Sequence, residues 1–585
     1  MSLDDKLVTC ALEAQNIMVE YAQARADSPF DDERCAFECI QSYLDLLEGL
    51  ASPNEPLLQE AITVVKCFQC SVFPPENREA QIRLVREWTL SMIVFDGTRL
   101  DDVEPDFGSR VYLDLLTENL LLGDISKVTE IIASYCDSAP ADLGPLLLDL
   151  CTVIDSYPMQ GQPYSVFMVW RKSALLLLES LKQKHPLDCD LKSNLNDSNA
   201  ELISFMHRTL LILSGDAAAI KNAAPNWCIA LNAFFIFADP LVDMLPMHYE
   251  QVKDLPRINE GDTYEDACRA LFGNQIVAAI AELNSIHPTS AVVLGELCSN
   301  NGLFDSYDEV SAISDAGVSG FLALQYVEFL FSDKRLVGLG TQTLVNLNTE
   351  GAKNLAKKEF PRLVLIAPDF SEDIVMAAQD LGLLDLDLEV SGIAADYLHA
   401  NGEYLRAMEF YYRANQLDKL HHCAKELFKK ILIARDPYDA DSHTVNVLNA
   451  KIPSHVAELP AAIMNMLAPS AVLLDLMKAL LDENIKTVHA DLDALLHTEL
   501  VEFYPLLVQL VIGVPANIMA RKYVVMLMKA LNKWDDAPQS TKQQTVEYIQ
   551  LADGCDMETD SATDLSIGTK FVLELRHDLA NKITL

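Results

Sequence analysis

Three clusters of side chains in this chain have the types that metal or acid–base chemistry requires. Cys35 and Cys39 stand one helical turn apart, and Cys67 and Cys70 add a C-x-x-C pair. Thiolates so placed could hold a tetrahedral zinc ion. Zinc cysteines usually sit on tight turns, whereas Phe37, Ile40, Val65 and Phe68 surround these, so core thiols are expected. Asp101, Asp102, Glu104 and Asp106 gather carboxylates that could hold Mg²⁺ against a diphosphate if they shared one helix face. Pro105 breaks such a helix and no basic clamp accompanies it, which favours a solvated acidic loop. His421-His422-Cys423 lacks a second ligand cluster and is expected to cap a helix C-terminus. Phosphate-binding glycine loops, a nucleophile elbow and an H-E-x-x-H helix are all missing from the sequence. No catalytic residue, cofactor or metal ligand is therefore assigned, and an all-α Mg²⁺-dependent diphosphate enzyme stays only as the alternative from another class.

Composition narrows the classes further. Of 585 residues, 50% are hydrophobic and 22% charged, a balance that suits a folded protein and excludes wholesale disorder. The formal net charge of −42 repels phosphate backbones and anionic headgroups, so direct nucleic-acid binding is not expected. The opening Met1-Ser2-Leu3-Asp4-Asp5 is acidic, unlike a secretory signal. The apolar stretches Ile229–Phe237 and Tyr504–Val514 fall short of the ~20 residues that cross a bilayer, so no membrane insertion is expected. The 13 cysteines, odd in number and scattered, read as reduced core thiols.

Helical spacing dominates the elements. Leu113, Leu116, Leu120 and Leu121 form an apolar stripe, as do Leu202, Phe205 and Leu210 with polar Thr209 among them. The best strand candidate, Leu90 to Phe95, is short and unpartnered. Leu122-Gly123-Asp124, Ser214-Gly215-Asp216, Asn300-Asn301-Gly302 and Asn401-Gly402-Glu403 read as connectors. Glycine there closes one helix in the left-handed conformation, and the acid can cap the next. Short links make neighbours antiparallel, and Ile393 to Ala414 is the clearest such hairpin, with small Ala394, Ala395 and Ala407. The spacing is irregular, so the expected fold is all-α: an irregular α-solenoid of stacked helical hairpins. Polar breaks at 97–109, 185–199, 435–455 and 553–564 suggest an N-terminal helical segment (1–96), a main solenoid (97–434) and a C-terminal helical tail (435–585). In the last helix Phe571, Leu575 and Leu579 share one face, which must either dock on the tail or meet a partner.

A longer pattern runs from Tyr112 to Pro240. YLDLLTENLLLGDISKVTEII carries Gly123 and Asp124, and LLLDLCTVIDSYPM closes at Pro158. VFMVWRKSALLLLESL carries Trp170-Arg171, ELISFMHRTLLILSGD ends on Gly215-Asp216, and PNWCIALNAFFIFADP runs from Trp227 to Pro240. In order and punctuation these blocks resemble the nucleoporin eighty-five family; the likeness continues more weakly through DACRALFGNQIVAAIAELNSIHPTSAVVLGELC and GFLALQYVEFLF, and reappears in IAADYLHANGEYLRAMEFYYRA and FVLELRHDLANKI. The resemblance implies an ancestral-coatomer-type unit, trunk and crown, that doubles back and ends in a tail. It implies a scaffold subunit of the Y-shaped subcomplex at the nuclear pore and nuclear envelope, supporting protein transport and mRNA export. The tail would join other Y-complex nucleoporins. The family also donates an N-terminal β-blade to a Seh-type β-propeller, but Met1 to Glu87 reads as helix, which speaks against blade insertion here. Phe-Gly occurs only at Phe107-Gly108 and Phe272-Gly273, which suits ring scaffold rather than transport barrier. A vesicle-coat or proteasome-lid-type helical subunit is the alternative scaffold.

Overall fold

The computed structural model describes residues 2–27, 31–52, 55–93, 100, 103–158, 163–185, 197–259, 261–308, 317–435, 460–513, 521–552 and 561–584. Every regular element among them is a helix, and no strand occurs among the described residues. Leu90 to Met92, the start of the strand candidate, instead end the helix Arg78–Met92, and Val94 and Phe95 lie outside the described residues.

The connectors work as glycine chemistry requires. Gly123, Gly215, Gly302 and Gly402 all have φ between 70° and 80°. At Gly123 the Gly123 N–H donates to Leu120 and the Asp124 N–H to Asn119, the paired bonds that satisfy the last carbonyls of a helix. The same pair recurs at Gly215, Gly302 and Gly402. Asn274 and Asn415 close helices identically with φ of 57° and 56°, positions that the sequence reading missed. The acid that follows is less uniform than expected. The Asp216 carboxylate accepts from Ala219 N at 2.8 Å, capping Ala217–Ala223. Asp124 makes no such bond and instead faces Arg86 at 3.5 Å, while Glu403 pairs with Arg406 at 3.0 Å. Cap and ion pair compete for one carboxylate, and a nearby guanidinium wins.

Two compact units emerge, residues 1–352 and 353–585. In the first, Leu3–Asp27 pairs with Asp32–Leu50, and Pro56–Ser71 with Arg78–Met92. The chain then runs through Arg110–Leu121, Ile125–Cys136, Gly144–Asp155, Tyr164–Lys184 and Asp197–Leu213 before it doubles back. On its return, Thr263–Phe272 and Ile276–Ile286 lie against Pro56–Ser71, and Pro288–Asn300 lies against Leu3–Asp27. The segment 1–96 thus shares a core with residues near 263–300 and belongs to the same compact unit. A buried polar chain fastens this return. Cys10 Sγ meets the Tyr43 hydroxyl at 3.7 Å, Tyr43 meets Ser290 Oγ at 2.9 Å, and Ser290 Oγ meets His287 Nδ1 at 2.8 Å.

In the second unit, Leu384–Ala400 and Tyr404–Arg413 form the hairpin read from the sequence, with Ala394, Ala395 and Ala407 buried at the contact. Leu417–Ala434 packs on Ala461–Leu481, which packs on Ile485–Leu496. The break placed at 435–455 falls almost wholly on residues 436–459, outside the described residues. One expectation needs correction. Ala461–Leu481, at 21 residues, is long and apolar enough to cross a bilayer by length and composition. Leu467, Leu473, Leu474, Leu476 and Met477 of this helix are buried within the unit, which is how a core helix meets the same test.

Candidate functional site

The apolar segment Trp227–Ala238 organises the first unit. Trp227–Ala233 is α-helical and Phe234–Ala238 widens into a π-helix, closed by Asp239 N–H donating to Phe234 O at 3.2 Å. Its residues from Trp227 to Phe237 are buried almost completely. A helix buried on all faces must satisfy its loosened carbonyls through neighbours. The Tyr157 hydroxyl donates to Ile236 O at 2.9 Å, and Arg171 Nη1 donates to Ala238 O at 3.2 Å. Asn232 Nδ2 in turn donates to Leu121 O at 2.8 Å, at the end of Arg110–Leu121. Burial pushes the Tyr157 hydroxyl well above the usual phenol range, keeping it a donor. The His248 ring meets Asp239 O at 3.0 Å through Nε2, and burial lowers its pKa.

The residues singled out in the sequence converge here. Arg171 Nε donates to Ser214 O at 2.5 Å, so one guanidinium ties the Gly215 connector to the end of the π-helix. A Cβ at Gly215 would lie 2.9 Å from Ala238 Cα and 2.9 Å from Phe237 O. A Cβ at Gly123 would lie 2.7 Å from Ile236 Cδ1. Gly215 therefore serves twice, as a left-handed turn and as a place where two backbones come close, whereas Gly123 is a left-handed turn against the Ile236 side chain. Trp170 is 4% exposed, and its indole N–H donates to Val153 O at 2.7 Å. Its ring stands edge-on to Tyr157 with centroids 4.8 Å apart. Pro158 and Pro240 are both buried, each just past a helical segment.

Trp227 anchors the other end. Its indole N–H donates to the Glu265 carboxylate at 2.7 Å, and that carboxylate also accepts from Ile258 N and Asn259 N. Glu265 is 0% exposed, so this donor set is what makes its burial tolerable. Trp88, Phe272 and Tyr249 pack around the indole, and the Arg269 guanidinium lies 5.4 Å from its ring. Glu265 and Trp88 were not identified from the sequence. They lie 38 and 139 positions from Trp227, and the only available signal was an acid and an indole inside apolar helices.

The last helix, Ser561–Thr584, lies against Tyr504–Ile512, Arg521–Asp535 and Gln539–Ala552. Leu575 and Leu579 are buried there together with Val572, and Phe571 is half-buried. A Cβ on Gly568 would lie 2.7 Å from Val546 Cγ2, so the two helices are in close contact. Arg576 donates to Asn532 at 2.8 Å and pairs with Asp535. The Phe571–Leu575–Leu579 stripe is thus occupied within its own unit. The opposite face carries Leu573, 58% exposed, beside Lys570, Glu574, His577 and Asp578.

The chemistry-bearing clusters are placed as follows. Cys35, Cys39, Cys67 and Cys70 are free, buried thiols, with Cys39 Sγ 4.0 Å from Met18 Sδ. Among the described residues no group of three or more His, Cys, Asp or Glu could hold a metal ion. Asp101 and Asp102 lie outside the described residues, and Glu104 and Asp106 occupy non-helical backbone. Contrary to the expectation from sequence, His421 and His422 do not cap a helix C-terminus: they stand in the second turn of Leu417–Ala434. That helix is closed instead by Arg435, at φ 54°.

Comparison with known proteins places this geometry. Residues 19–533 match the family described as Nup85 Nucleoporin. No curated protein matches the chain.

Proposed function

This chain belongs to the Nup85 nucleoporin family, a structural scaffold family of the nuclear pore complex at the nuclear envelope, and from that premise we propose that it is a subunit of the Y-shaped subcomplex. It associates with other nucleoporins of the pore. In our reading its contribution to nucleocytoplasmic transport, mRNA export included, is geometric: stacked hairpins present surfaces at which neighbours are held. The observation that carries this is the family match across 19–533, a span that includes the whole Trp227–Ala238 knot.

We assign the joint with other Y-complex subunits to the C-terminal helices, and within Ser561–Thr584 to the outward face around Leu573. This helix lies beyond the matched residues, so the assignment rests on exposure and on the tail's role in the family. A stable joint would bury about 1,200–2,000 Å². The described helices of the N-terminal segment offer a Seh-type propeller helix surfaces rather than a β-blade. Leu573→Asp tests the tail. An exposed substitution changes stability within about 0.5 kcal/mol, so melting should hold while recovery of the other Y-complex subunits in pull-down falls at least about tenfold. Undiminished recovery would move the joint elsewhere.

A further inference from the structure

We propose that a cleft in the C-terminal unit receives an arginine side chain carried by a neighbouring protein subunit. The proposal rests on the scaffold reading above, in which other subunits hold this chain. The cleft, about 250 Å³, opens between Leu417–Ala434, Ala461–Leu481 and the turn at Thr498–Leu500. That is below the roughly 300–1,000 Å³ of small-molecule pockets and suits one long side chain.

Its origin is a helix defect. Pro469 stands inside Ala461–Leu481, and having no N–H it leaves the Asn465 carbonyl without its intrahelical donor. One residue on, Ser470 is 1% exposed and its hydroxyl has no hydrogen-bond partner. A buried hydroxyl without a partner is costly and uncommon in a finished interior. Asn465, Pro469 and Ser470 all line the same cleft. Glu499 stands exposed at its rim, whereas the one lysine of the lining, Lys425, is already matched by Glu502 at 3.0 Å.

The set left open is therefore the Ser470 hydroxyl and the Glu499 carboxylate, both able to accept. Phe428, Met466 and Leu500 supply apolar wall between them. Arginine meets both halves, with a methylene stem for the wall and a planar fork of N–H donors for the acceptors. A chain of net charge −42 also draws a basic partner by its field.

Overlapping peptides tiling the other scaffold nucleoporins, arrayed and probed with the labelled full chain, test the assignment. Retained peptides should contain arginine and lose retention when that arginine becomes glutamine. Glu499→Gln, an exposed change that leaves the fold alone, and Ser470→Leu, which fills the cleft, should each weaken retention at least about tenfold. No retained peptide, retention indifferent to arginine, or retention equal for the chain and its Glu499→Gln variant would overturn the proposal. Co-purification of the chain with scaffold subunits is scored separately. If it persists while the array is indifferent, the cleft assignment alone fails; if it is absent, the scaffold reading fails first.

Discussion

Gly215 and Gly382 share a left-handed backbone, with φ of 73° and 72°, yet their surroundings differ. Nothing lies within 4 Å of a Cβ on Gly382, so Gly382→Ala should cost about 1 kcal/mol, the conformational penalty alone. Gly215→Ala adds contacts at 2.9 Å with the backbone of Phe237 and Ala238, and should cost at least about 2 kcal/mol. Denaturant titration of the two variants separates turn geometry from close packing, and equal losses would refute the second role of Gly215. Trp227→Phe removes the donor to buried Glu265 while filling most of the ring space, and about 2–4 kcal/mol should be lost. His287 gives a pH signature. Its Nδ1 accepts from Ser290 N at 3.2 Å, and burial lowers its pKa from 6.5 to about 4. A depressed histidine stabilises fully above its unfolded pKa, and that stability is lost as pH falls from about 6.5 to about 4. The loss is on the order of 3 kcal/mol at most. His287→Asn retains a capping side chain but cannot titrate, so its stability should vary less across this window.

Leu3–Asp27 gives the clearest case of an element held by distant sequence. Val8 and Ala11 pack with Tyr326, Leu330 and Leu336, Asp5 pairs with Arg335 at 2.7 Å, and Arg25 donates to Asn300 O at 2.6 Å. Deleting residues 2–27 should lower the melting temperature of the full chain by several degrees and raise dye binding to exposed apolar surface. An unchanged melt would show that these contacts add nothing to the unit. The existence of the helices, their glycine closures and the hairpin at 393–414 were legible because periodicity and φ > 0 leave marks on residue type. Closure by Asn274, Asn415 and Glu483 was not, since these residues also occupy ordinary helical and loop positions. The family resemblance implied that the chain doubles back, but the return of Thr263–Phe272 onto Pro56–Ser71 was not foreseen, as apolar faces carry no label for their mate. Positions such as Trp170, Arg171, Gly215 and Trp227 were visible one by one. Their convergence on the Trp227–Ala238 segment was not, because Arg171 reaches Ser214 and Ala238 across 43 and 67 residues. The cleft at Pro469 did leave a sign, a proline inside a strongly helical run, that went unused.

At the scale of the molecule, apolar residues go into internal helix stacking and an acidic surface is left to neighbours. A formal charge of −42 predicts that association with basic surfaces weakens with salt, while joints built on apolar contact persist. Salt titration of each subunit's recovery would sort the joints into these two kinds. Leu573→Asp should affect the persistent kind, and Glu499→Gln the salt-sensitive kind. The most direct test is quantitative mass spectrometry of the tagged full chain purified from its own cells. Near-stoichiometric recovery of the other Y-complex nucleoporins is the expected result. Recovery of the chain alone, or with vesicle-coat or proteasome-lid subunits in their place, would contradict it.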